Sequence, residues 1–191
     1  MITIGAGLGF AALATGTALA AGSGASVTLT NAGPNPASVT VSPGGKVTWK
    51  STQGTHTVSD ASPLKLFTSK LAFGYNNAGT YPYKVSGATK GGTVGVPVVL
   101  KLIPKNLLSG AVGYDVRWAL NDTSSPYTAS VEYQVPGNPR WQSFVFRSLG
   151  THDATFEPSL YGNKHGTYSF HARLERGAAH TAWSPAASFK Y

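Results

Sequence analysis

Ser38-Val39-Thr40-Val41-Ser42-Pro43-Gly44-Gly45-Lys46-Val47-Thr48-Trp49 decides the fold class of this chain. Val39 and Val41 alternate with hydroxyl residues, Ser42-Pro43-Gly44-Gly45 supplies the residues of a tight turn, and Val47 and Trp49 resume the alternation. A period of two interrupted by turn chemistry is the pattern of half-buried β-strands. Val27 and Leu29 start the same pattern upstream, before the turn residues Asn31-Ala32-Gly33-Pro34-Asn35-Pro36, and no segment of helical period competes with it.

The second half repeats this grammar. Strands are expected at Val98 to Leu102, Tyr114 to Leu120, Ala129 to Val135, Gln142 to Phe146, Ala154 to Phe156, Thr167 to Glu175 and Ala186 to Phe189. Seven short strands separated by turn signals predict a sandwich. Pro97 marks the seam, because proline cannot donate to a ladder and Val94-Gly95-Val96 closes one sheet before Val98-Val99-Leu100 opens another. The fold class is therefore all-β, with two β-sandwich domains in tandem over 21–97 and 98–191 and a linker so short that they touch.

With no cysteine among 191 residues, a disulfide framework, a thiolate metal site and a cysteine nucleophile are all excluded. Residues 1 to 45 carry no charged side chain, and Ala18-Leu19-Ala20 fits the small-residue pattern before a signal cleavage site. Residues 1–20 are expected to be a secretory signal peptide or a weak anchor, although the usual positive n-region is absent, and the protein is expected to be secreted or held in a cell envelope. No stable membrane span is expected, because Gly5, Gly7, Gly9, Thr15, Gly16 and Thr17 dilute the apolarity of the segment.

The net charge of +8 is spread over the chain without a basic run, which argues against nucleic acid as a partner. Such a surface is drawn to an extracellular protein or to an anionic cell-envelope polysaccharide. The seven acidic residues are scattered, and no paired-carboxylate context, nucleophile elbow or phosphate loop is present. His152-Asp153 is the nearest approach to a catalytic pair, but strand neighbours face opposite ways and no poised serine accompanies them. No catalytic residue is assigned, and the protein is expected not to be an enzyme.

Gly54-Thr55-His56-Thr57-Val58 and Asn77-Ala78-Gly79-Thr80-Tyr81-Pro82-Tyr83, read with the opening stretch, make residues 27 to 96 similar to the cupredoxin family, the plastocyanin-like blue-copper proteins. That resemblance implies a Greek-key sandwich. It places the first histidine ligand on His56, the cysteine on Val85, the second histidine on Ala88 and the axial methionine on Lys90. A blue-copper centre needs a thiolate, two imidazoles and a weak axial ligand. Only His56 is retained, so no cofactor is expected; the alternative is a copper-binding or electron-transfer protein with a non-standard site around His56. In a metal-free sandwich of this kind Val85 is expected near His56, with Tyr83 and Val85 on opposite faces of one strand. His152, His165, His171 and His180 are expected on loops or solvated strand faces.

Residues 98 to 191 resemble a fibronectin type III domain, an immunoglobulin-like sandwich. Tyr114-Asp115-Val116-Arg117-Trp118 is similar to its second strand with a core tryptophan, Tyr168-Ser169-Phe170-His171-Ala172-Arg173-Leu174 to its tyrosine-led strand, and Ala182-Trp183-Ser184-Pro185 to its ending. Alternation turns Tyr168, Phe170, Ala172 and Leu174 inward and His171, Arg173 and Glu175 outward. In Arg140-Trp141-Gln142-Ser143-Phe144-Val145-Phe146-Arg147, Trp141 and Phe144 fall on opposite faces. Both are candidate binding residues, one of these faces being available to a sugar or a protein. The resemblances together imply a non-enzymatic secreted binding or envelope-structural protein. Fibronectin-like domains also accompany secreted bacterial enzymes, which adds a role in holding a polysaccharide.

Overall fold

The computed structural model describes residues 22–105 and 110–191, so the expected signal segment at 1–20 lies outside them. The first strands are β1 (Ala25–Thr30), β2 (Gly33–Asn35), β3 (Ser38–Thr40), β4 (Gly45–Ser51), β5 (Val58–Asp60), β6 (Ala72–Tyr75), β7 (Gly79–Val85) and β8 (Gly92–Val96). They form two four-stranded sheets, ordered β2-β1-β4-β6 and β3-β8-β7-β5. Each sheet contains one parallel pair: β1 with β4, Val27 opposite Trp49, and β3 with β8, Val39 opposite Val94.

The alternation read from the sequence builds the core between these sheets. Val27, Leu29, Val47 and Trp49 face Tyr81, Tyr83, Val85, Val94 and Val96, all buried. Trp49 meets Tyr83 edge-on at 5.4 Å, an arrangement favoured by the ring quadrupoles. The expected opposition of Tyr83 and Val85 is corrected: residues two apart on β7 point the same way, and exposed Lys84 lies between them.

The second sandwich comprises β9 (Val99–Ile103), β10 (Gly113–Arg117), β11 (Thr128–Gln134), β12 (Gln142–Ser148), β13 (Asp153–Phe156), β14 (Thr167–Arg176), β15 (Ala179–His180) and β16 (Ala187–Lys190). One sheet runs β13-β10-β9; the other runs β12-β11-β14, with β15 and β16 both paired to β14. The two sheets form an immunoglobulin-like β-sandwich. Trp118, Tyr168 and Phe170 are buried in its core, as the inward alternation of β14 requires. Phe156 sits among Tyr161, Phe170 and Tyr133 at centroid distances of 4.3, 4.9 and 5.3 Å. Each such ring contributes roughly 1.5–3 kcal/mol by leaving water.

The two sandwiches are joined through backbone hydrogen bonds. Ala78 N donates to Trp118 O at 2.7 Å, Leu120 N to Asn76 O at 2.8 Å and Thr80 N to Ala182 O at 3.0 Å. Thr80 Oγ1 adds a bond to Trp183 O at 2.7 Å. Ala78 belongs to the second core although it precedes β7 in the first sandwich. Glycine is required for this approach, since a Cβ on Gly95 would lie 2.7 Å from Cγ of Pro185.

Candidate functional site

His56 is buried at the end of the first sandwich. Its Nδ1 lies 2.6 Å from the carbonyl oxygen of Ser86, and its backbone N–H donates to Ser51 Oγ at 3.0 Å. A carbonyl can only accept, so Nδ1 carries the proton and donates. Nε2 is buried and has no hydrogen-bond partner among the described residues. The ring lies against the turn after β7, within 3.7 Å of where a Cβ on Gly87 would be. Val58 on β5 pairs with Val85, which keeps the histidine segment beside this turn.

The residues around His56 do not fit copper. Val85 belongs to the apolar core, Ala88 packs on it and Lys90 is exposed. None of the three side chains replaces the thiolate, imidazole or thioether of a blue-copper site. Among the described residues no group of three or more His, Asp or Glu side chains is placed to hold a metal. Calorimetric titration of copper(II) is expected to give the same heat for wild type and His56→Ala; an affinity abolished by the substitution would restore the copper reading.

The pair His152-Asp153 differs from the sequence expectation. His152 precedes β13, so strand alternation does not separate the two side chains, and Nε2 lies 3.3 Å from Asp153 Oδ2. Nδ1 lies 2.5 Å from Asp122 Oδ1. Carboxylates thus occupy both ring nitrogens, leaving neither directed at a hydroxyl nucleophile. Asp153 also receives Arg117 at 3.3 Å. Burial, then the charge of Asp153, pushes the neighbouring Asp115 carboxyl up, against the lowering by Arg117.

On the outer face of β14 a row of side chains is stacked into a column. Trp141 lies on His171 with centroids 3.7 Å apart and planes at 11°, and His171 lies on Trp183 at 4.2 Å and 7°. The Arg173 guanidinium covers the other end, 4.5 Å from the Trp183 centroid. Strand geometry accounts for the spacing. Residues i and i+2 stand roughly 6.5–7 Å apart on one face, about twice a ring-stacking separation. One flat ring therefore fits between His171 and Arg173, and Trp183 supplies it. Its segment is held on β14 by Thr181 N to Leu174 O at 2.9 Å, and by Ser184 N to Ala172 O at 2.8 Å.

Ion pairs extend the column. Glu132 Oε2 accepts from His171 Nε2 at 2.9 Å. Arg173 Nε donates to Glu175 Oε1 at 2.8 Å, and Arg147 Nε to Glu175 Oε2 at 3.0 Å. His171 and Glu175 are only 8% and 2% exposed. This corrects the solvated position expected for His171: both residues leave the core face as expected, but the column buries them.

Phe144, the other candidate binding residue, is half-buried and turned toward the core side of β12. It packs into the second core, meeting Phe156 at 5.6 Å and Phe170 at 5.8 Å. The β11–β12 register shifts on both sides of Val131, pairing Val131 with Val145 but Glu132 with Ser143. Such a bulge breaks the simple alternation of the bulged strand. Phe146 is turned outward and is 72% exposed, with the Arg147 guanidinium 5.5 Å from its ring centroid. Trp141 remains on the outer face, but with one face committed to His171.

No protein-family model matches the chain, and no curated protein matches it. Among solved structures, that of the selenomethionine-substituted chicken interferon gamma receptor alpha chain is similar, at 12% identity and a TM-score of 0.32. The similarity covers 71% of this chain and 84% of that one. Among the described residues no helix is long and apolar enough to cross a membrane.

Proposed function

We propose that this chain is a secreted or envelope-held, non-enzymatic binding protein, with a cupredoxin-like, metal-free first sandwich serving as scaffold and the second sandwich presenting β12 to an acidic extracellular protein. The observation that carries the reading is the exposed Phe146–Arg147 pair. Arg147 is held by buried Glu175 with its guanidinium 5.5 Å from the Phe146 ring centroid, so an aromatic and an arginine are presented side by side. Aromatic and arginine side chains dominate the energetics of protein interfaces. Among the described residues β12 is also an edge strand, with no partner strand on its outer side. Arg140 and Arg147 give this edge the sign that attracts an acidic partner. The retained alternation around Val85 and Ala88, with no ligand replacing cysteine or histidine, supports the scaffold role of the first sandwich.

A photo-crosslinking residue at position 146 is expected to capture an extracellular protein that position 101, on β9 of the opposite sheet, does not. Phe146→Ser with Arg140→Glu is expected to abolish binding of the captured partner and to leave the thermal midpoint within about 2 °C, as for surface changes. Equal capture at both positions, or binding that survives the double substitution, would refute the edge assignment. Retention on anionic polysaccharide that vanishes in high salt and ignores Phe146 would reduce the interaction to charge attraction.

A further inference from the structure

A second site lies where the sandwiches meet. Asn76 and Asn77 from the first sandwich face Asn121, Asp122 and Ser124 from the second across a polar cavity of about 270 Å³. Tyr127 lines this cavity and, with Asn76 and Asn77, also lines a neighbouring chamber of about 120 Å³ walled by Phe73, Tyr75 and Leu174. The larger chamber is close to the lower end of small-molecule pockets, roughly 300 Å³. That is room for one small ring.

The backbone of both walls is fixed. Asn76 O accepts from Leu120 N at 2.8 Å, and Asn77 O accepts from the Tyr81 hydroxyl at 2.8 Å. On the other wall Thr123 Oγ1 bonds to Ser148 O and Thr151 O at 3.1 and 3.2 Å, and Tyr127 N donates to Ser124 O at 2.9 Å. The Asn76, Asn77 and Asn121 side-chain amides make no hydrogen bond to other described residues. Asn76 and Asn121 are exposed and Asn77 is half-buried; each amide offers two donors and an acceptor, so three of them carried on hydrogen-bonded backbone can turn to meet a ligand that both donates and accepts at several points. Asp122 adds an acceptor already steadied by His152, and its charge disfavours an anion. Tyr127, with the Arg176 guanidinium 5.8 Å from its ring centroid on one face, adds its edge and other face beside these polar groups.

We propose that this seam binds a neutral polyhydroxylated ring, as a free sugar or as the end of a sugar chain. Vicinal hydroxyls match the paired donors and acceptors of the amides, while the C–H face of the ring lies against Tyr127. The site is separate from the β12 edge and does not depend on the edge assignment.

The test is NMR of the full chain, following the side-chain amides of Asn76, Asn77 and Asn121 during titration with glucose, galactose, N-acetylglucosamine, a neutral trisaccharide, glucuronate and calcium chloride. Saturable shifts with a neutral sugar are expected at these amides. Asn121→Ala and Tyr127→Ala are each expected to weaken binding about tenfold, as when one of few oriented polar or stacking contacts is lost. Asn121 is exposed, so an unchanged spectrum elsewhere shows that its variant remains folded. Response to monosaccharides identifies a free sugar, and response to the trisaccharide alone identifies a chain end. No response to any neutral sugar, response only to glucuronate or calcium, or sugar shifts unaffected by both substitutions would overturn the proposal.

Discussion

Trp118→Ala is expected to lower stability by about 3–5 kcal/mol, the range for removing a large aromatic from a packed core. Trp118 is 1% exposed, follows β10 directly and fills the second core next to Ala78. Its backbone also joins the sandwiches, accepting from Ala78 N at 2.7 Å while its own N–H donates to His152 O at 2.9 Å. Loss of the side chain therefore leaves a cavity at the seam as well as in the core. Trp118→Phe is expected to cost much less, about 1–2 kcal/mol, because volume is largely kept. The indole Nε1 is buried with no hydrogen-bond partner among the described residues, so phenylalanine also removes a donor left unsatisfied by them. Urea unfolding measures both losses, and hydrogen exchange at the Ala78, Thr80 and Leu120 amides reports on the seam. Equal losses for alanine and phenylalanine would contradict the packing argument.

Glu175→Ala is expected to cost about 2–3 kcal/mol, less than the full penalty for breaking a buried ion pair because Arg147 is half in water. The Glu175 side chain is 2% exposed, whereas those of Arg173 and Arg147 are 24% and 55% exposed. Its removal strands Arg173 against Trp183 and frees Arg147 from β14, so binding through the β12 edge is expected to weaken along with stability. Burial pushes the Glu175 carboxyl up, but hydrogen bonds from Arg173, Ser130 and Arg147 outweigh it and hold the group below its ordinary value of 4.5. Burial likewise lowers His171 below its ordinary value of 6.5, against the raising effect of Glu132.

Both shifts act in the same direction with pH. Each group binds a proton more readily in the unfolded chain, so each stabilises the fold above its unfolded value and ceases to do so as pH falls through its lowered folded value. His171 begins to withdraw its contribution below about 6.5 and Glu175 below about 4.5. Thermal midpoints are expected to fall in two stages on acidification. Replacing His171 by phenylalanine is expected to remove the upper stage alone, and a wild-type midpoint that stays level from neutral pH to pH 5 would oppose this reading.

The strands were legible because their cause is local. Alternation of Val39, Val41, Val47 and Trp49 around Ser42-Pro43-Gly44-Gly45 is visible in twelve residues and survives in β3 and β4. The inward set Tyr168, Phe170, Ala172 and Leu174 was equally legible, since one face of β14 must cover the core. Phe146 was not singled out because the β11–β12 bulge depends on a partner strand that the local pattern does not contain. His171 looked solvated for a similar reason: two tryptophans from distant loops, Trp141 and Trp183, cover it.

By itself the sequence determined the all-β character, the inward-facing residues of regular strands such as β4 and β14 and the loss of the thiolate chemistry that a cysteine would supply. These depend on side-chain period and atom type, which neighbouring residues settle. The tertiary structure alone decided that Trp141, His171, Trp183 and Arg173 form one column, that Phe146 rather than Phe144 is presented, and that asparagines from both sandwiches line one cavity. Such features require side chains far apart in the chain to meet at stacking or hydrogen-bond distance, and that meeting is set by register, bulges and the docking of two sheets.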